Sequence, residues 1–207
     1  MKATADKHVI LPILQQPNEH LADATRILRT NLLSTITHQG LKTIQITSPN
    51  QGVGKSTICA NLAISFAQAG KRTLLIDANL RQPTLHHVFE STSIGLTDYF
   101  NHADLELQAT SIRHLSLLTA GNQRSQAADI LANEKLHQLL HKVKPSFDLI
   151  IIDSPALLET ADAQIIAAQV DATALVIQTG KTKKKALAKA KASLNAVNAN
   201  LIGAILT

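Results

Sequence analysis

Short apolar runs alternate along the chain with stretches that repeat at helical spacing. KTIQITS (42–48), RTLLIDA (72–78), HLSLLTA (114–120), DLIIIDS (148–154), ATALVIQ (172–178) and LIGAILT (201–207) predict strands. STICANLAISFAQAG (56–70), ANEKLHQLLHKV (132–143), ETADAQIIAAQV (159–170) and KKKALAKAKASLNAV (183–197) predict helices between them. LIIID is apolar at four successive positions, as expected of a strand covered on both faces. Strand and helix in alternation predict an α/β chain with a mainly parallel central sheet in three layers. Ahead of the first strand, HLADATRILRTNLLSTI (20–36) predicts an extra leading helix, preceded by an irregular arm, residues 1–18, that holds Pro12 and Pro17.

Composition narrows this picture. A chain of 207 residues fits one domain with a full core. Its 45% hydrophobic content includes no apolar run near the roughly 20 residues of a membrane span. The first 20 residues lack the pattern of a signal peptide. Cys59 is the sole cysteine, which suits a cytoplasmic location. The net charge is +5, yet aromatics make up only 2%, too few for a base-stacking platform, so no nucleic-acid partner is expected. The lysine run KTKKKALAKAK (181–191) reads as a solvated helix face, one that could also rest on an anionic membrane. His137 and His141 lie one helical turn apart without a third ligand at metal spacing, and a solvated face is expected there. His86 and His87 are expected near the phosphate site described next. Tyr99, the sole tyrosine, is expected to pack against helices rather than to accept phosphate.

The stretch SPNQGVGKST (48–57) follows an apolar strand and opens a helix, the context of a phosphate-binding loop. Gly52 and Gly54 let successive backbone N–H groups face a polyphosphate, and the helix that starts at Lys55 adds its positive end. Lys55 can reach β- and γ-phosphate oxygens, and the Ser56 hydroxyl can hold Mg²⁺. Asp153, at the end of LIIID, stands where a metal-side carboxylate is expected. Asp77 ends the strand after the loop helix, followed by Asn79 and Arg81 at alternating positions. Its carboxylate could orient Mg²⁺, take a proton from an attacking hydroxyl, or simply cap the helix that begins near Pro83.

Together, TSPNQGVGKST, LLIDANLRQPTLHHVF and DLIIIDSPALLETADA resemble the bacterial tyrosine kinases of capsule and exopolysaccharide synthesis, in particular their separate cytoplasmic kinase subunit. The resemblance covers residue 19 to the C-terminus, with residues 1–18 as an arm. It implies a P-loop NTPase fold related to MinD and ParA, with ATP and Mg²⁺ as ligands. By resemblance, Gly52, Val53, Gly54, Lys55, Ser56 and Thr57 bind ATP, and Ser56, Asp77 and Asp153 hold the metal. Lys55, Asp77 and Asn79 serve catalysis. The family's E-x-x-R-x-x-R helix corresponds here to Asp23, Arg26 and Arg29, which implies docking on a neighbouring subunit in a homo-oligomeric ring. The implied activator is a transmembrane chain-length regulator of polysaccharide export that recruits the kinase to the inner membrane face. Pro49 fits the family's loop, S-P-x-x-G-x-G-K-S.

The chain departs from that pattern at Asn79, where the family has a second aspartate, and at Val53, where it often has glutamate. The chain also stops at Thr207 without a tyrosine-rich tail. An amide supplies neither negative charge nor a proton acceptor, so Asn79 predicts reduced transfer. Two alternatives follow: a weakened ATP-binding regulator of the same assembly, and a MinD- or ParA-like ATPase. Against the second stand Asn50, at the place of that group's signature lysine, and the leading helix.

Overall fold

The computed structural model describes residues 11–16, 19–92, 94–101, 103–122, 128, 131 and 134–207. Its strands are β1 (Thr43–Thr47), β2 (Thr73–Asp77), β3 (Gln108–Ala109), β4 (Leu115–Leu118), β5 (Leu149–Asp153), β6 (Ala172–Ile177) and β7 (Leu201–Leu206). They form one sheet in the order β3-β4-β2-β5-β1-β6-β7. All neighbours run parallel except the β3–β4 pair. Helices α1 (Pro12–Gln15), α2 (His20–Gln39), α3 (Lys55–Gln68), α4 (Leu85–Val88), α5 (Leu96–Phe100), α6 (Lys135–Val143), α7 (Asp162–Ala167) and α8 (Lys184–Ala196) connect or flank them.

The period of two in the strands divides the core. Leu75 and Ile151 pack on the side of α2 and α3, while Leu74, Ile76, Ile150 and Ile152 pack on the opposite face with Leu136, Leu139 and Leu140 of α6. A smaller cluster joins Ala163 and Ala167 of α7 to Ala190 and Leu194 of α8. The loop helix α3 is buried from Cys59 to Ala67, because the sheet lies on one side of it and α2 on the other. Its small residues Ala60, Ala63 and Ala67 permit that close approach. The leading helix therefore forms an additional layer outside the sheet–helix sandwich.

Each predicted strand appears, trimmed at its ends, and three differences have local causes. The leading helix runs on to Gln39, where Gly40 at φ 65° accepts the left-handed turn that stops it. The expected irregular arm contains a helical turn, α1. Pro12 begins it with its φ already fixed, Ile13 is buried, and the Ile13 N–H donates to Asn61 Oδ1 of α3 at 3.2 Å. Residues 1–10, 17 and 18 of that arm, and positions 132 and 133 of the helix predicted over 132–143, lie outside the described residues. The third difference is β3, two residues paired antiparallel with β4 at the sheet margin. Among the described residues no helix is long and apolar enough to cross a membrane.

Candidate active site

The order of the strands brings three carboxyl ends together. β1 runs into the loop at 48–54, β5 lies beside it and ends at Asp153, and β2 lies beside β5 and ends at Asp77. Asp77 and Asp153 are direct register partners. Ligands of open α/β sheets bind at this edge. A cleft opens there, walled by Gln51, Gly52, Gly54, Lys55, Ser56 and Thr57, by Asn79, Gln82 and Thr84, and by Pro155 and Ala156.

Gly52 (φ 77°) and Gly54 (φ 87°) hold left-handed conformations that turn the loop over the start of α3. A neighbouring segment stiffens it. Leu157 N–H donates to Ser48 O (2.8 Å), Leu158 N–H to Pro49 O (3.3 Å), and Gln51 N–H to Glu159 Oε1 (3.1 Å). Val53 is buried, so its contribution is loop packing and backbone rather than side-chain polarity. Lys55 is 8% exposed, at the first position of α3.

The two aspartates differ in occupation. Asp77 Oδ1 accepts from Asn79 N–H (3.1 Å), and Oδ2 accepts from the N–H groups of Thr84 and Leu85 (3.0 Å each). Asp77 thus shapes the 78–85 loop and caps the start of α4, while Asn79 lies on the cleft wall. Asp153 receives the Cys59 thiol at 3.6 Å on Oδ1, and its Oδ2 is buried without a hydrogen-bond partner. Burial raises the Asp77 carboxyl to about 7, helped by the Asp153 charge and opposed by the N–H groups of Leu85, Thr84 and Asn79. Burial also raises Asp153, against the Ser56 hydroxyl and the Lys55 ammonium. Two buried carboxyls, one with an unpartnered oxygen, beside a hydroxyl and an ammonium form an oxygen donor set that fits a divalent cation and a polyphosphate. Burial, and then the Asp153 charge, raise the Cys59 thiol well above its ordinary value, so it stays a neutral donor.

A pH dependence follows. With a folded value of about 7 against an ordinary 3.8, protonated Asp77 favours the folded state. That stabilisation is complete below about pH 4 and is lost as pH rises through 7. Without nucleotide and Mg²⁺, the melting temperature should fall between pH 5.5 and 8 by several degrees more in wild type than in Asp77→Asn, at about 2–4 °C per kcal/mol. Equal slopes in a calorimetric series would contradict the assignment.

The remaining predicted residues sit away from the cleft. Asp23 pairs with Arg26 along α2 at 2.7 Å in solvent. Arg29 turns to its own chain, donating to Ser65 O (3.0 Å) and Ser65 Oγ (3.2 Å) of α3. Its position is therefore fixed by the inner face of α2, while Leu21 and Ile27 stand 57% and 63% exposed on that helix. His86 and His87 lie 3.8 Å apart between ring centroids, tilted by 41°, on α4 but do not line the cleft, because the α4 start is turned by Asp77 toward the core at Leu85. His137 and His141 are exposed on α6, and no three-residue metal cluster occurs among the described residues. Tyr99 packs against the second core cluster beneath Lys142, whose ammonium lies 5.7 Å from the ring centroid. Sequence reasoning missed Glu159, Cys59 and Asp162. The signal nearest to them is Gln45, a long polar residue between two isoleucines in a buried strand. Buried, it donates from Nε2 to Ser154 Oγ (2.9 Å) and Ala163 O (2.8 Å) and ties the cleft's rear wall to β1.

Residues 42–179 match the family model described as ATPase MipZ. The chain is 38% identical over 198 residues to tyrosine-protein kinase YwqD of Bacillus subtilis (strain 168), covering 93% of this chain and 83% of that one. Among solved structures, the chimerical protein CapA2B2 superposes with a TM-score of 0.89 at 29% identity, covering 95% of this chain and 88% of that chain. The kinase domain of Escherichia coli tyrosine kinase ETK superposes with a TM-score of 0.91 at 26% identity, covering 97% and 80%.

Proposed function

The chain belongs to the bacterial tyrosine-protein kinase family, built on the P-loop ATPase framework, and from that premise we propose that its cleft transfers the γ-phosphoryl of Mg²⁺·ATP to tyrosine in the control of capsule or exopolysaccharide export. The observation that carries the reading is the Gly52–Lys55 loop on the cleft wall with the register-paired Asp77 and Asp153 buried at the adjoining strand ends.

The loop N–H groups and the Lys55 ammonium would bind β- and γ-oxygens and offset charge as the bond from γ-phosphorus to the bridging oxygen breaks. Ser56 and the free Oδ2 of Asp153 would hold Mg²⁺, which neutralises phosphate charge when bound. As the tyrosine oxygen bonds to phosphorus, its proton must leave. By the family resemblance Asp77 would take it from behind the cleft wall, where burial and three backbone N–H groups set its carboxyl at about 7, whereas the Asn79 amide on the wall is no base. Asn79 therefore lowers turnover without removing the nucleotide site.

The assembly reading has separate support. Leu21 and Ile27 stand exposed on α2 on either side of the Asp23–Arg26 pair in sequence, apolar residues that a neighbouring copy in a ring would cover. Lys181, Lys183, Lys184, Lys185, Lys189 and Lys191 are all exposed around α8, a basic face suited to an anionic inner membrane leaflet near a transmembrane activator. One assay tests these readings together. Labelled ATP is supplied with a tyrosine-rich acceptor peptide, with and without the activator's cytoplasmic segment and anionic vesicles. Label on tyrosine, increased by the activator segment and by vesicles, is expected. A rate indifferent to both additions would remove the assembly reading, and absence of phosphotyrosine in every arm would remove the kinase reading.

A further inference from the structure

Beyond the sheet edge the cleft has two facing walls, and one ion pair joins them. Residues 78–84 supply Asn79, Gln82 and Thr84, and the stretch after β5 supplies Pro155 and Ala156. Arg81 reaches across with two parallel bonds, Nε to Asp162 Oδ2 at 2.8 Å and Nη2 to Asp162 Oδ1 at 3.2 Å. The pair is lopsided: the Arg81 side chain is 46% exposed and that of Asp162 is fully buried at the start of α7.

Both ends are anchored. On the Arg81 side, Asp77 gathers the N–H groups of Asn79, Thr84 and Leu85 and so fixes the loop from within. On the Asp162 side, the next residue's carbonyl, Ala163 O, receives Gln45 Nε2, and Thr173 Oγ1 donates to Gln45 Oε1 at 3.1 Å, so the start of α7 is tied to β1 and β6. We infer that Arg81 and Asp162 form a clamp that sets the spacing of the two cleft walls, and that they are positioning residues for the nucleotide rather than its ligands. An arginine beside a phosphate cleft invites the opposite reading, in which it swings onto the γ-phosphate. Asp162 argues against that. A buried carboxylate deserted by its partner is strongly disfavoured, whereas the present geometry satisfies both of its oxygens. The planar fork of arginine suits this bidentate bond, which a lysine would reproduce only as a point charge.

This inference rests on the nucleotide reading of the cleft, so its test measures binding rather than transfer. Affinity for a fluorescent ATP analogue with Mg²⁺ is measured for wild type, Arg81→Gln, Arg81→Lys, Asp162→Asn and the double variant Arg81→Gln/Asp162→Asn, with melting temperatures alongside. The double variant removes the clamp without stranding a buried charge. A working clamp gives at least about a fivefold loss in both single variants and no further loss in the double, because the two residues act as a unit. Arg81→Lys should recover part of the affinity. In transfer assays the loss should appear in KM for ATP more than in kcat. Wild-type affinity in the double variant would reduce the pair to a structural tie. A loss in Arg81→Gln with none in a folded Asp162→Asn would make Arg81 a direct nucleotide ligand. Should Asp162→Asn fail to fold, Arg81→Gln and the double variant decide. Lys55→Met serves as the control: unchanged binding there would overturn the nucleotide site itself, independently of the clamp.

Discussion

Lys55→Met is expected to lower phosphoryl transfer about a hundred- to a thousandfold, the usual cost of removing one preorganised donor from a developing oxyanion. Two losses combine in this variant. The first is direct, since Lys55 is the ammonium on the cleft wall at the head of α3 and methionine keeps its length without its charge. The second passes through Asp153, whose carboxyl Lys55 pulls downward against burial. Without the ammonium, less opposes the burial that raises Asp153, and the pair holds a proton to higher pH, which weakens its grip on Mg²⁺. The variant should therefore bind the nucleotide more weakly and also need more Mg²⁺ at pH 7 than wild type, with part of the Mg²⁺ requirement relieved at pH 8.5. Titrating Mg²⁺ at both pH values, with bound nucleotide as the readout, separates the two effects. An unchanged Mg²⁺ requirement would leave only the direct loss.

The second large effect runs in the opposite direction. Asn79→Asp should raise transfer by about ten- to a hundredfold, since a charge-assisted bond contributes roughly 1.5–3 kcal/mol where a neutral amide contributes less. Asn79 stands on the cleft wall while its backbone N–H is held by Asp77. The new carboxylate would thus arrive on a loop that is already fixed. It would also add a negative charge near two buried carboxyls, so the gain should appear only with Mg²⁺ present, and the metal-free protein should melt lower than wild type. Steady-state rates with and without Asn79→Asp, paired with melting curves at zero Mg²⁺, test both halves. A rate no higher than wild type would show that the amide at 79 is not what limits turnover.

The fold was largely written in local pattern, and the site only in part. TLLID and LIIID announce themselves because strands covered on both faces favour apolar runs, and TIQIT does so by its alternation of isoleucine with threonine and glutamine. Parallel register then does what no local pattern can state, setting Asp77 directly opposite Asp153. The two-residue β3 has no such signature, since Gln108 and Ala109 pair with β4 for tertiary reasons. The same holds for α1, where a proline that suggests irregularity instead starts a helical turn seated by Ile13. The phosphate loop was legible because its chemistry is contiguous in sequence. Its supports were not: Glu159 meets Gln51 across 108 positions, Cys59 meets Asp153 across 94, and Arg81 meets Asp162 across 81. Arg29 makes a contact that the motif does not state. The pattern of the leading helix was legible, yet its third member spends hydrogen bonds on Ser65 of its own chain.

The kinase reading and the ATPase framework make opposite statements about where the γ-phosphate goes. The most direct measurement follows ADP, inorganic phosphate and phosphotyrosine together in one reaction containing Mg²⁺·ATP, the activator's cytoplasmic segment and a tyrosine-rich acceptor. Phosphotyrosine is expected in amounts that match most of the ADP formed, reduced at least about a hundredfold by Lys55→Met and increased by Asn79→Asp. ADP matched by inorganic phosphate, with no phosphotyrosine in wild type or in Asn79→Asp, would contradict it and leave a nucleotide-hydrolysing assembly protein in its place.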